Sequence, residues 1–223
     1  MTIRFITATR DSLEAFGKNA LLSQSLARVS CFSKIELQVA AQNSNPLPTV
    51  FNHAIEEADP DDVLVFIHDD VWIDDWMIEY RLLEGLLVFD VLCIAGNTRR
   101  FDRQENWILN KNREHDVGHL SGAISHGQPL NGNISRFGES PAPVCLMDGV
   151  LLAARAGTLV QAGVRFDPRF PFHYYDTDFS RSCDQAGLRM GTWPIAITHG
   201  SPGVWGHEPW EAAFALYLKK WGS

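Results

Sequence analysis

The chain has 223 residues, 45% hydrophobic and 21% charged, which is ordinary for a globular protein and argues against disorder as a whole. Its formal net charge of −8 argues against a protein that grips nucleic acid through phosphate contacts, but leaves open a nucleotide ligand whose charge is met by a bound ion. Cys31, Cys93, Cys145 and Cys183 are far apart and form no C-x-x-C pair, which argues against structural zinc and fits a reducing compartment. No apolar run has the length of a signal-peptide core or a transmembrane segment, so a cytoplasmic protein is expected.

In chain order, residues 3–8 alternate and are rich in β-formers, a first strand. Ser12 is placed to cap a helix carrying Leu13, Phe16, Ala20 and Leu21. Residues 34–41 alternate through Ile35, Leu37 and Val39 and predict a second strand. Pro48 suits the first turn of a helix with Val50, Phe51, Ala54 and Ile55 on one face. Asp59-Pro60-Asp61 ends it, and residues 63–67 follow as a buried strand. This β-α-β-α-β order predicts an α/β fold with a mostly parallel central sheet flanked by helices.

Residues 76–89 predict a further helix and 91–95 a further strand. Residues 116–143 hold five glycines and little periodicity, and are read as a long binding loop or lid. Regularity returns at residue 144, with a strand at 150–154 and a short helix at 158–162. A helix follows Asp176 and Asp178 and is stopped by Gly187, and a last strand covers 193–198. An amphipathic helix over 208–220 closes the pattern, with Trp205, Trp210 and Trp221 near the C-terminus serving a core or an interface. With no repeat and no clean boundary, residues 1–223 are read as a single domain.

Three local features carry chemistry. The buried strand at 63–67 runs straight into His68-Asp69-Asp70, and open α/β sheets bind ligands beyond the carboxyl ends of their strands. In extended geometry His68 and Asp70 project to one side and suit a divalent ion, Mg²⁺ or, with histidine in the set, Mn²⁺. The bland alternative is a solvated turn. Asp176 and Asp178 follow the aromatic run Phe170, Phe172, Tyr174 and Tyr175. Capping alone explains a single acid there, but a carboxylate among aromatics is also suited to act as a base. An Asp176/Asp178 pair of the glycosidase kind stays open. His199 ends an apolar segment and enters a Gly/Pro-rich loop. No G-x-G-x-x-G or Walker-type loop is present, which weighs against Rossmann dehydrogenases and P-loop enzymes.

Taken in order, the motifs resemble inverting family 2 glycosyltransferases of the glycosyltransferase-A fold. Those motifs are Leu151-Leu152-Ala153-Ala154-Arg155, Gly163-Val164-Arg165-Phe166-Asp167, Tyr175-Asp176-Thr177-Asp178-Phe179-Ser180-Arg181, Ala186-Gly187-Leu188-Arg189, Trp193-Pro194 and His199. Asn52 with Ala58-Asp59, and His68-Asp69-Asp70 in the D-x-D place, extend the resemblance to about two-thirds of the chain, closest to an H-D-D branch. It implies a donor-binding half of about residues 1–100 and an acceptor half of about 144–223. It implies metal-dependent transfer from a nucleotide-diphosphate sugar to a glycan, lipid-linked or protein acceptor. Asp70 and His199 would be metal ligands, Asp176 the base, and Asp69 would approach the donor ribose or sugar. Thr7, Thr9, Arg10 and Asn43 would lie on the nucleotide-holding loops, and Asp148-Gly149 near the acceptor. His68 stands where the family has the first acid of D-x-D, and Tyr175 where it has a glutamate. A sugar nucleotidyltransferase would need a glycine-rich loop after the first strand, which Thr7-Ala8-Thr9-Arg10-Asp11 does not offer. A non-catalytic nucleotide- or carbohydrate-binding protein is the other alternative.

Overall fold

A computed structural model describes residues 1–29, 35–201 and 206–222, leaving Cys31 and Trp205 outside the described residues. The first strand, β1 (Ile3–Ala8), leads to Ser12, whose hydroxyl accepts the Ala15 N–H at 3.2 Å and caps α1 (Leu13–Asn19). The helix expected to continue through Leu21 is interrupted at Ala20, whose extended backbone separates α1 from α2 (Leu21–Val29). The strand β2 (Ile35–Ala40), the helix α3 (Leu47–Glu57) and the strand β3 (Val63–Ile67) complete the expected alternation. A short strand absent from the sequence reading, β4 (Val71–Ile73), comes next, then α4 (Ile78–Val88). The strand expected at 91–95 divides at Ile94 into β5 (Val91–Cys93) and β6 (Ala95–Asn97), because the chain passes there from one sheet to another.

Residues 116–143 are not an irregular loop. They contain β7 (Leu120–His126) and β8 (Asn133–Gly138), an antiparallel hairpin, and are followed by β9 (Ala142–Pro143). Leu120 and Ile124 are buried, and β7 finds partners in β6 and in a strand whose paired residues lie 73 positions further on, a pairing that local periodicity cannot announce. The remaining elements are β10 (Leu146–Met147), β11 (Leu151–Arg155), α5 (Ala156–Gln161), α6 (Tyr175–Gln185), β12 (Met190–Thr192), β13 (Ile197–His199) and α7 (Glu208–Trp221). The strand expected at 193–198 is thus replaced by β12 and β13. Pro194 between them has no N–H to give a ladder.

The main sheet has the order β2-β1-β3-β11-β5-β12-β9. Its pairings make β2, β1, β3, β5 and β12 point one way and only β11 and β9 the other, so it is mostly parallel as expected. Alternate residues of β3 serve opposite cores: Val63, Val65 and Ile67 pack with α1, α2 and α4, while Leu64 and Phe66 pack with α3, α5, α6 and α7. A second sheet, β10-β6-β7-β13-β4 with β8 on its margin, caps the carboxyl ends of the main strands.

The last helix is pinned by charge as well as by apolar contact. Asp178 on α6 is wholly buried and accepts hydrogen bonds from Lys220 Nζ at 2.9 Å and Trp221 Nε1 at 2.8 Å. Lys220 also reaches Asp167 at 2.8 Å. Burial pushes the Asp178 carboxyl above its ordinary pKa, and Lys220 opposes that shift. Removing the cation strands a buried carboxylate, so Lys220→Ala is expected to cost about 3 kcal/mol at pH 7–8 in urea unfolding. The deficit relative to the parent chain should shrink as acid protonates Asp178.

Candidate active site

Two ladders assemble the site. The antiparallel pairing of β13 with β4 places His199 opposite Val71, so the residue preceding β4, Asp70, meets the histidine that ends β13. Asp70 Oδ1 lies 3.2 Å from His199 Nε2, and Ser201 Oγ is 3.3 Å from the same nitrogen. The antiparallel pairing of β11 with β3 sets Leu151 opposite Ile67, which brings His68 alongside Gly149 and Val150. Potential ligand atoms of His68, Asp70 and His199 all fall within 4.8 Å of one another. The sequence-predicted trio is therefore a physical cluster.

The electrostatics of the cluster follow from its neighbours. Burial lowers the His68 pKa and the charge of His199 adds to this, so His68 is held neutral. Burial also acts to lower the His199 pKa, but the hydrogen bond and charge of Asp70 outweigh it and leave it raised. Asp70 is held far below the ordinary carboxylate range, its burial outweighed by the hydrogen bonds of His199 and Ser201. Two imidazoles and a carboxylate at this spacing fit a divalent first-row cation, and the histidines favour Mn²⁺ over Mg²⁺, which prefers oxygen alone.

Tyr175 has a role its position in the motif does not disclose. Its hydroxyl donates to the Gly149 carbonyl at 2.7 Å and lies 3.0 Å from His68 Nε2. With that proton committed to the carbonyl, Nε2–H of His68 is the donor to the phenol oxygen and Nδ1 keeps the lone pair. Gly149 also donates its N–H to Asp176 Oδ2 at 3.0 Å. A β-carbon at Gly149 would fall 2.3 Å from the Tyr175 hydroxyl and 2.8 Å from Asp176 Cβ, so this position has no room for a side chain.

Asp176 opens α6 just after Tyr174, whose φ of 64° is left-handed, a strained conformation for a bulky residue. That turn sends Tyr174 toward Trp210, Phe214 and Tyr217 of α7, and Tyr175 toward Phe51, Phe166 and His68. Burial, and then the charge of Asp148, push the Asp176 carboxyl up to about 7, against hydrogen bonds from the Thr177 and Gly149 N–H groups. Asp148, which holds the Val150 N–H at 2.8 Å, is the functional candidate that the sequence named only by neighbourhood. Its carboxylate is the like charge that adds to burial in raising Asp176. Asp178 turns instead to Lys220 and Trp221, so Asp176 and Asp178 form no carboxylate pair.

A cavity of about 460 Å³ joins these parts. It is lined by His68, His199, Asp148 and Asp176, by Trp107, His115 and His126 from the segment leading into and forming β7, and by Trp210 of α7. The 116–143 segment, read from the sequence as a binding loop, does reach the site: its hairpin gives Ile124, His126, Ser135 and Phe137 to the lining. Thr7, Thr9, Arg10, Asn43, Asp69 and Asp70 do not line this cavity, although Asp70 touches it through His199. Thr7 and Thr9 are buried at the carboxyl end of β1, and the Thr7 hydroxyl makes no hydrogen bond. Arg10 is exposed, and the Asn43 amide is folded onto Asn45. Asp69 follows β3 and accepts the Leu22 N–H through its backbone.

Because Asp176 keeps its proton in the fold up to about pH 7 but loses it near 4 when unfolded, stability falls as pH rises across that window. Asp176→Asn cannot ionise. The parent chain is expected to lose on the order of 3 kcal/mol relative to this variant between pH 4 and pH 8, measured by parallel urea titrations.

No family model and no curated protein matches the chain. Solved structures do. GalNAc-T7 with UDP, GalNAc and Mn²⁺ superposes with a TM-score of 0.54 at 11% identity, covering 99% of this chain and 48% of that one. S. aureus TarS superposes with a TM-score of 0.54 at 13% identity, covering 99% and 39%. A197 from STIV gives 0.50 at 11% identity, covering 87% and 82%. The chain thus spans less than half the length of the GalNAc-T7 and TarS chains. Likeness at such identity speaks for architecture alone. Among the described residues no helix is long and apolar enough to cross a membrane. The central sheet, its flanking helices and these superpositions together establish that the chain has the glycosyltransferase-A fold.

Proposed function

We propose that this chain is a metal-dependent inverting glycosyltransferase that moves a sugar from a nucleotide-diphosphate donor to an acceptor hydroxyl. The observation that carries this reading is that His68 and His199, two members of the His68–Asp70–His199 cluster, line the same cavity as Asp176, with Asp70 just behind His199 at 3.2 Å. Asp70, His199 and His68, through Nδ1, would hold the cation. Bound there, a divalent ion supplies Lewis-acid charge opposite a departing diphosphate. Tyr175 holds the His68 ring in the tautomer this requires. Asp176 in its ionised form takes the acceptor proton, and its raised pKa gives it proton affinity suited to that task near neutral pH. A single in-line displacement inverts the anomeric centre. Thr7, Thr9, Arg10, Asn43 and Asp69, outside the cavity but on the same rim of the sheet, are assigned to the nucleotide side.

Release of nucleoside diphosphate from a panel of sugar nucleotides with Mn²⁺ tests the reading. The rate is expected to rise with pH through about 7 and then level, because the base acts deprotonated. Asp176→Asn should lower it by about 10²–10⁴-fold while nucleotide binding survives. Nucleotide binding with no turnover of any donor would mark a binding protein instead, and pyrophosphate release from a nucleoside triphosphate would mark a nucleotidyltransferase.

Calorimetric titration of Mn²⁺ checks the cluster separately. Affinity should increase with pH as His199 gives up its proton, and His199→Ala should weaken it by more than about 100-fold.

A further inference from the structure

We infer that the sugars this cavity accepts are uncharged, the accepting ring being a neutral pyranoside seated on its aromatic wall rather than a uronate, a sugar phosphate or a sugar sulfate. The inference rests on the glycosyltransferase reading of the site and specifies its substrate class. Among the described residues, none that lines the cavity is lysine or arginine, whereas Glu105, Asp148 and Asp176 all do. Glu105 is paired with Arg113, but that arginine is exposed and is not part of the lining. Of the lining histidines, His68 and His199 belong to the cation cluster, which leaves His115, His126 and His173 as the other imidazoles of the wall. An anionic substituent on the accepting ring, seated on the aromatic wall away from the cation cluster, would lose water and meet carboxylates with no lysine or arginine to offset either penalty.

What the wall offers instead is apolar surface with few polar groups, the pattern of sites that read a neutral ligand by shape and a handful of hydrogen bonds. Trp107 stands edge-on to Phe137 at 5.0 Å, and Tyr174 lies against Trp210 at 5.4 Å. Phe172, half exposed, stacks over His68 at the mouth. Flat rings meet the C–H faces of a pyranose, and the carboxylates and the Asn106 and Ser135 side chains accept or donate to its hydroxyls.

The test compares matched sugars by ligand-observed NMR binding, which does not need turnover: methyl β-glucopyranoside against methyl β-glucuronide, and methyl β-galactopyranoside against its 6-phosphate. The neutral member of each pair is expected to bind at least about 100-fold more tightly. Trp210→Ala should weaken neutral-sugar binding by about tenfold or more and Trp210→Phe should restore most of it. Phe172→Ala, at an exposed ring, repeats the comparison without touching the core. Ser135→Lys places a cation on the cavity wall and should raise glucuronide affinity selectively. Equal or tighter binding of the anionic sugars to the parent chain overturns the inference. Neutral sugars bound with this selectivity, but no donor turned over, would leave the inference standing and sink the glycosyltransferase reading. Turnover that prefers anionic acceptors would do the reverse.

Discussion

The ladder between Val71–Ile73 and Ile197–His199 is the constraint on which the site depends. Three paired residues on each side connect segments more than 120 positions apart, and they set the distance between Asp70 and His199. The second sheet exists to carry this pairing: β7 lies beside β13, β6 beside β7, and the hairpin partner β8 covers the edge. Loss of β4's register by one residue would turn Asp70 to the opposite side and dissolve the cluster. The acidic motif after β3 acquires chemical meaning only when this short cross-sheet contact forms.

Two aspartates two residues apart illustrate how environment divides equal side chains. Asp176 faces the cavity, loses water, and has another carboxylate, Asp148, as its electrostatic neighbour. Asp178 points to the interior of the helix packing, where an ammonium and an indole N–H meet it. One is left with a tunable proton and the other becomes a fastener for the C-terminal helix. The cost of desolvating Asp176 is carried by the surrounding packing of α6, in which Phe179 stacks on Phe166 at 3.9 Å.

Local features were legible in the chain. The buried strand before His68-Asp69-Asp70, the cap at Ser12, the helix marked by Asp176 and Asp178 and the stop at Gly187 each follow from neighbours within a few residues, and each is found. The mostly parallel sheet followed from the alternation of the first 70 residues. What escaped was non-local. The hairpin Leu120–Gly138 was hidden by its glycines and needed β6 and β13 as partners. β4 is three residues long and owes its existence to β13. The break at Ala20 leaves no strong mark, since alanine favours helices. Tyr175 appeared as a lost acid, and only its contacts with Gly149 and His68 reveal a hydroxyl that orients a ring.

Gly149 hands its N–H to Asp176 and its carbonyl to the phenol that anchors His68, and it has no space for a methyl group. The proton-accepting and ion-facing halves of the pocket are therefore soldered through a single residue. Anyone remodelling this scaffold for a different sugar has to treat 149 as immovable and work instead on the wall residues that β8 and the first turn of α7 supply, Ser135 and Trp210.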